Sequence, residues 1–89
     1  MEKPELKLLP EHVRAARALL DFSQREMAER GNMAKRTIID FERGLANTRP
    51  STKKKIYDFL VEAGIECISD GQYQGTGGIG VRIIPKEKR

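Results

Sequence analysis

Residues 23–44 read SQREMAERGNMAKRTIIDFERG, and the folding of this stretch decides the architecture of the chain. Ser23 and Glu26 are spaced as a capping box. The serine oxygen accepts from the Glu26 N–H, and the glutamate carboxylate returns to the Ser23 N–H. A helix therefore begins at Gln24, with Met27 and Ala28 turned inward. Ala28 is small and lets another helix approach closely. This helix ends near Arg30-Gly31-Asn32, because glycine and asparagine best tolerate left-handed backbone. Met33 follows as an apolar plug. A second helix is predicted over 35–43. Ile38 and Phe41 are three apart and share its buried face, while Lys35, Arg36, Ile39, Asp40 and Arg43 share the opposite one. Gly44 stops the helix just past its C-cap.

Upstream, residues 1–9 are charged and irregular and are expected to be a flexible N-terminal segment. Pro10 suits the first helical position, where its missing N–H costs nothing. Val13, Ala16, Leu19 and Leu20 recur at helical spacing, which predicts a helix over 10–20. Arg14 and Arg17 fall on its other faces. Downstream, a loop carrying Asn47, Thr48, Arg49 and Pro50 leads to a helix with Ser51 as its N-cap. Ile56, Phe59, Leu60 and Ala63 form the apolar stripe of that helix, and Gly64 ends it. Lys53, Lys54 and Lys55 lie in its first turns, where they oppose the helix dipole. Their reading stays open between a solvated face and an attraction for phosphates.

The remainder changes character. Residues 65–69 read as a short strand, and residues 79–84 as another in which Ile79, Val81 and Ile83 alternate. The Gly- and Gln-rich stretch over 70–78 connects them, with Gly80 at a bulge. The expected fold is mainly α: four helices and a C-terminal β-hairpin. The chain divides into the segment 1–9, a helical domain over 10–64, the hairpin extension over 65–85 and a basic tail over 86–89.

Function classes can be excluded from the same residues. The string GTGGIG, from Gly75 to Gly80, satisfies the G-x-G-x-x-G pattern of nucleotide-binding loops. Such a loop must open a helix inside a βαβ unit. Here β-branched residues and a proline follow, so no nucleotide is expected. The chain has 89 residues, enough for one domain, and a net charge of +4, which inclines it toward nucleic acid. Cys67 is the single cysteine, which excludes an internal disulfide framework or a cysteine zinc cluster. No signal-peptide core or membrane-length apolar run is present, so a cytoplasmic protein is expected. The single histidine, His12, reads as a solvated first-turn residue. No nucleophile–base set accompanies it, so neither catalysis, a metal nor a cofactor is expected.

Two short helices joined by a tight turn, the second with polar and basic residues outward, form the helix-turn-helix plan. Beyond that plan, residues 23–44 resemble the Cro/phage-repressor-like (XRE-type) helix-turn-helix family. The matching features are Ser23-Gln24 opening the second helix, the inward Ala28, the turn around Asn32, Thr37-Ile38, and the closing Glu42-Arg43-Gly44. The lead-in RALLDF, from Arg17 to Phe22, also matches, and the resemblance extends over residues 10–64. Two positions depart from the family pattern. Asn32 stands where the family has glycine, with Gly31 one residue earlier. Ala34 replaces the usual Ser or Thr cap of the third helix, at a cost of about 0.5–2 kcal/mol.

The resemblance implies sequence-specific binding of double-stranded DNA as a small transcriptional regulator, with the helix over 35–43 in the major groove. It assigns Lys35, Arg36, Thr37, Ile39 and Asp40 to base edges. Arg36 suits a bidentate pair with guanine O6 and N7. Asp40 either accepts from cytosine N4 or orients Arg36 through an i,i+4 contact. Ile39 either touches a thymine methyl or packs at the helix edge, and Thr37 meets either a base or a phosphate. Ser23, Gln24, Arg43, Asn47, Thr48 and Arg49 are assigned to the phosphate backbone. Glu42 packs inward in the family and is expected to be structural.

A lone ribbon is marginal in water. The hairpin's apolar side must therefore pack on the first and fourth helices or on a second copy of the chain. A homodimer is expected, because helix-turn-helix proteins commonly bind paired half-sites and a strand edge offers a route to pairing. Ile65, Ile68, Val81 and Ile83 are its expected buried members. The alternative function is an antitoxin-like or adaptor module whose hairpin grips a partner protein.

Overall fold

The computed structural model describes residues 7–45, 48–69 and 76–88. Helices α1 (Pro10–Leu20), α2 (Gln24–Arg30), α3 (Lys35–Glu42) and α4 (Pro50–Glu62) are followed by strands β1 (Ile65–Ile68) and β2 (Gly80–Ile83). A 3-10 turn over Lys86–Lys88 comes after β2. The fold is mainly helical with a C-terminal antiparallel hairpin, as the sequence predicts.

The start of α2 shows how local chemistry sets a boundary. Ser23 Oγ accepts from the Glu26 N–H at 3.0 Å, and Glu26 Oε1 accepts from the Ser23 N–H at 3.0 Å. Those bonds hold the Glu26 carboxyl below its usual range, the backbone bond most and the serine hydroxyl next. The left-handed residue of the α2–α3 turn is Asn32, at φ 54°, while Gly31 sits at φ −89°. Gly31 is not the left-handed residue, and the space beside it is limited. A Cβ there would lie 2.5 Å from Met33 Cε, 3.1 Å from the Met27 carbonyl oxygen and 3.3 Å from Phe59 Cδ1. Gly44, at φ 75°, follows Arg43 as the stop for α3.

The core joins Val13 and Ala16 of α1, Met27 and Ala28 of α2, Ile38 and Phe41 of α3, and Ile56 and Leu60 of α4 with Ile65 of β1. Each large apolar side chain buried this way contributes about 1.5–3 kcal/mol. Leu8 is also buried at 2% exposure, so the core reaches back into the segment before α1. Leu19, expected on the inner stripe of α1, is 45% exposed.

Two further expectations are corrected. Helix α4 is capped at Arg49 and has Pro50 in its first turn, so Ser51 lies inside the helix and is not its cap. Proline's fixed φ already suits the first helical position, and the helix starts two residues sooner. His12 is not solvated. It is 1% exposed, and its ring joins two distant segments. The Leu9 N–H donates to Nδ1 at 3.0 Å, which requires Nδ1 to be the unprotonated nitrogen. Nε2 therefore carries the hydrogen and donates to the Ile68 carbonyl at 2.9 Å.

That bond ties the hairpin to the start of α1. Strand β2 packs on α1 and β1 on α4, so the hairpin covers its own helices. The ladder pairs Ile65 with Ile83, Glu66 with Arg82, Cys67 with Val81 and Ile68 with Gly80. Gly80 takes a regular place opposite Ile68, so no bulge interrupts the pairing there. Ile65 lies within the chain's own core, with Cys67 and Val81 packed against it, which removes Ile65 from any partner surface. Ile83, by contrast, remains 48% exposed. The Cys67 thiol is pushed up to about 11, chiefly by burial and then by the Glu66 charge. Gly80 opens a strand, not a helix, and Gly75 lies outside the described residues.

Candidate nucleic-acid interface

Helix α3 separates its two sides sharply. Ile38 and Phe41 are buried at 0% and 4% exposure. Lys35, Arg36 and Arg43 are exposed, and Thr37, Ile39 and Asp40 are half-buried. The outer side thus offers two long cations near its start, a carboxylate one turn on, and a third cation at its end. Arg36 Nε stands 3.9 Å from Asp40 Oδ1, and the arginine side chain is 76% exposed. An exposed contact of this length contributes little to stability, about 0–1 kcal/mol. It leaves the guanidinium's remaining N–H groups directed to solvent, where a planar acceptor pair can meet them.

A probe must be rigid as well as exposed, and Glu42 supplies the anchorage. It is 6% exposed, and a buried carboxylate needs compensation. Arg17 provides it as a fork: Nε donates to Oε2 at 2.7 Å and Nη2 to Oε1 at 2.8 Å. The hydrogen bond to Glu42 holds the Arg17 guanidinium above its usual value, against the opposing effect of burial. A third Arg17 donor, Nη1, reaches the Phe22 carbonyl at 3.2 Å. Arg14 Nη1 donates to the backbone carbonyl of Glu42, satisfying an acceptor at the end of α3. Helix α1 therefore grips the C-terminal end of α3 from two successive turns.

Gln24 joins the same cluster. Its Nε2 donates to Glu42 Oε1 at 3.2 Å, which sets the start of α2 against the end of α3. Only one of the two amide hydrogens is used in that bond. Ser23 uses its oxygen as the helix cap, and its hydroxyl also acts on the Glu26 carboxylate. Arg30 lies over the Phe22 ring, 4.6 Å from its centroid, and steadies the same corner.

The loop after α3 is split in its description. Thr48 is half-buried, Arg49 is exposed, and Asn47 lies outside the described residues. Thr48 and Lys53 line a shallow cleft with Leu8, Phe41 and Leu45. The three lysines of α4 have separate fates. Lys54 Nζ pairs with Asp58 Oδ2 at 2.7 Å. Lys55 Nζ donates to the Asn32 carbonyl at 2.8 Å, and Lys53 is half-buried.

Sequence reasoning placed Glu42 inward but did not find its partners. The available signal was that a buried acid needs a cation, and Arg17 lies in the helix that packs on α3. His12 and Lys55 gave no such signal, because both bond to backbone carbonyls far along the chain. A family model described as Helix-turn-helix matches residues 13–60, more than half of the chain, from within α1 to within α4. No curated protein matches the chain. No helix among the described residues is long and apolar enough to cross a membrane.

Proposed function

This chain belongs to the Cro/repressor-like helix-turn-helix family of DNA-binding proteins, and on that premise we propose that it reads double-stranded DNA sequence-specifically as a small, non-catalytic transcriptional regulator. Helix α3 enters the major groove. Lys35, Arg36, Thr37, Ile39 and Asp40 face base edges. Ser23, Gln24, Arg43, Thr48 and Arg49 hold phosphates, with Asn47 in the same role. The protein acts in the cytoplasm.

The observation that carries this reading is the two-sidedness of α3. Its inner face is sealed in the core, its end is bolted to α1 through Glu42, and its polar face stands open. A side chain placed on such a support meets a base pair at low conformational cost, which is what direct readout needs. Selection of bound sites from random duplexes tests it. The expected result is a recurrent motif bound with a steep loss of affinity as salt rises. Retention of all sequences alike would refute sequence-specific reading.

We further propose that the protein works as a homodimer. Ile79 and Ile83 of the hairpin region are 38% and 48% exposed and can meet a second copy. Removing the whole hairpin is a poor test, since Ile65 belongs to the core. Sedimentation of Ile83→Lys beside the native chain is the better one. A dimer that persists in the variant would place the contact elsewhere.

A further inference from the structure

Lys55 stands among three lysines at the start of α4, where attraction for DNA phosphates is the ready interpretation. Its ammonium instead makes a bond within the protein. Nζ donates to the carbonyl of Asn32 at 2.8 Å, across 23 residues of chain. Asn32 is the left-handed residue of the α2–α3 turn, at φ 54°. The next amide, of Met33, donates to the Ala28 carbonyl at 2.8 Å, so both sides of the Asn32–Met33 peptide are engaged.

Helix α4 supports this turn at a second point. Phe59, four residues after Lys55, lies so close to Gly31 that a Cβ there would sit 3.3 Å from its ring. Residues 55 and 59 share one face of α4. One presses an apolar ring against the glycine, and the other holds the adjoining carbonyl. The turn is the only covalent link between α2 and α3, and its geometry sets how α3 is aimed. Asparagine in left-handed backbone carries strain that glycine does not. The bond to its carbonyl therefore falls where the turn needs support.

We propose that Lys55 is a positioning residue for DNA reading: it fixes the peptide plane after Asn32, and so the presentation of Lys35, Arg36 and Asp40, without itself neutralising a phosphate. This rests on the DNA-binding reading above. A charge-assisted bond to a carbonyl is still modest in net terms. Its loss therefore blurs discrimination without unfolding the domain.

The experiment compares the native chain, Lys55→Met and Lys55→Arg, each as the full chain, on the site selected from random duplexes and on an unrelated duplex. Lys55→Met keeps the aliphatic stem and removes the donor. The expected result is a roughly three- to ten-fold fall in the ratio of specific to non-specific affinity. The slope of log affinity against log salt should stay unchanged, and the Met33 amide should shift in the NMR spectrum. Lys55→Arg should restore most of the ratio. A slope reduced by about one, with the ratio intact, would make Lys55 a phosphate contact and overturn the proposal. An unchanged ratio and unchanged slope would overturn it too. Failure of the native chain to select any site would instead overturn the DNA reading itself, and this inference with it.

Discussion

The α2–turn–α3 unit and the hairpin are held to the molecule by different means. In the first, short-range devices come in quick succession: the Ser23–Glu26 box, the left-handed Asn32, and the Gly44 stop. A charged cluster around Glu42 then bolts the unit to α1. In the second, four paired residues on each strand lean on α1 and α4 through Ile65 and Val81, and a single imidazole ties Ile68 to Leu9. The first region is held by caps and charged groups, and the second by apolar packing on α1 and α4 and one imidazole.

The largest expected effect comes from breaking the charged cluster. Glu42→Ala leaves Arg17 without its carboxylate and α3 without its anchor, at a cost of about 3–5 kcal/mol. Urea denaturation reads it directly. A loss below about 0.5 kcal/mol would mean that the cluster does not hold α3.

Ile65→Ala should cost nearly as much, about 2–4 kcal/mol, because the side chain is 2% exposed and its neighbours cannot fully close the space. Ile83, directly across the ladder, is 48% exposed, and Ile83→Ala should cost little in the monomer, within about 0.5 kcal/mol. Equal losses at the two positions would contradict the docking of the hairpin described above.

His12→Ala is a sharper probe of the hairpin. It leaves the Leu9 N–H and the Ile68 carbonyl unpaired inside the protein, for about 2–3 kcal/mol. Hydrogen exchange should show the loss concentrated in the β1–β2 ladder, with α3 amides protected nearly as before. Loosening spread evenly over both regions would make the two one cooperative unit.

The smallest effect is at the α2 cap. Ser23→Ala should cost about 1 kcal/mol. Because Glu26 titrates below its usual range in the folded state, the capping box contributes fully above the unfolded carboxylate pKa. That contribution is lost as pH falls through the folded value. Ser23→Ala removes only the hydroxyl's share and keeps the backbone bond to Glu26, so its gap from the native chain should narrow slightly in acid, and a gap that widens there would be the wrong sign.

These contrasts also explain what the sequence made legible. The bounds of α1, the start of α2 and the handedness of Asn32 are legible in the sequence, since caps and periodicity act within about four residues. Ser51 reads as the α4 cap because serine is a favoured cap residue, but Pro50 takes the first helical position and moves the cap to Arg49. His12 was misplaced because its partner Ile68 lies 56 residues away, and no spacing rule spans that distance. Gly31 reads from the sequence as a conformational residue. Its steric role emerges only when Met33 and Phe59 are seen beside it. At the interface, the exposure of Arg36 followed from helical phase, while Gln24's bond to Glu42 required knowing which helix ends meet.

The most direct test is the base preference of Arg36→Ala set beside Arg43→Ala on the selected site and its single-base variants. The account predicts that Arg36→Ala loses about 1–3 kcal/mol on the preferred site and becomes indifferent at one base pair. Arg43→Ala should weaken all sequences alike and leave the preference intact. A complete preference retained by Arg36→Ala would contradict the claim that the outer face of α3 does the reading.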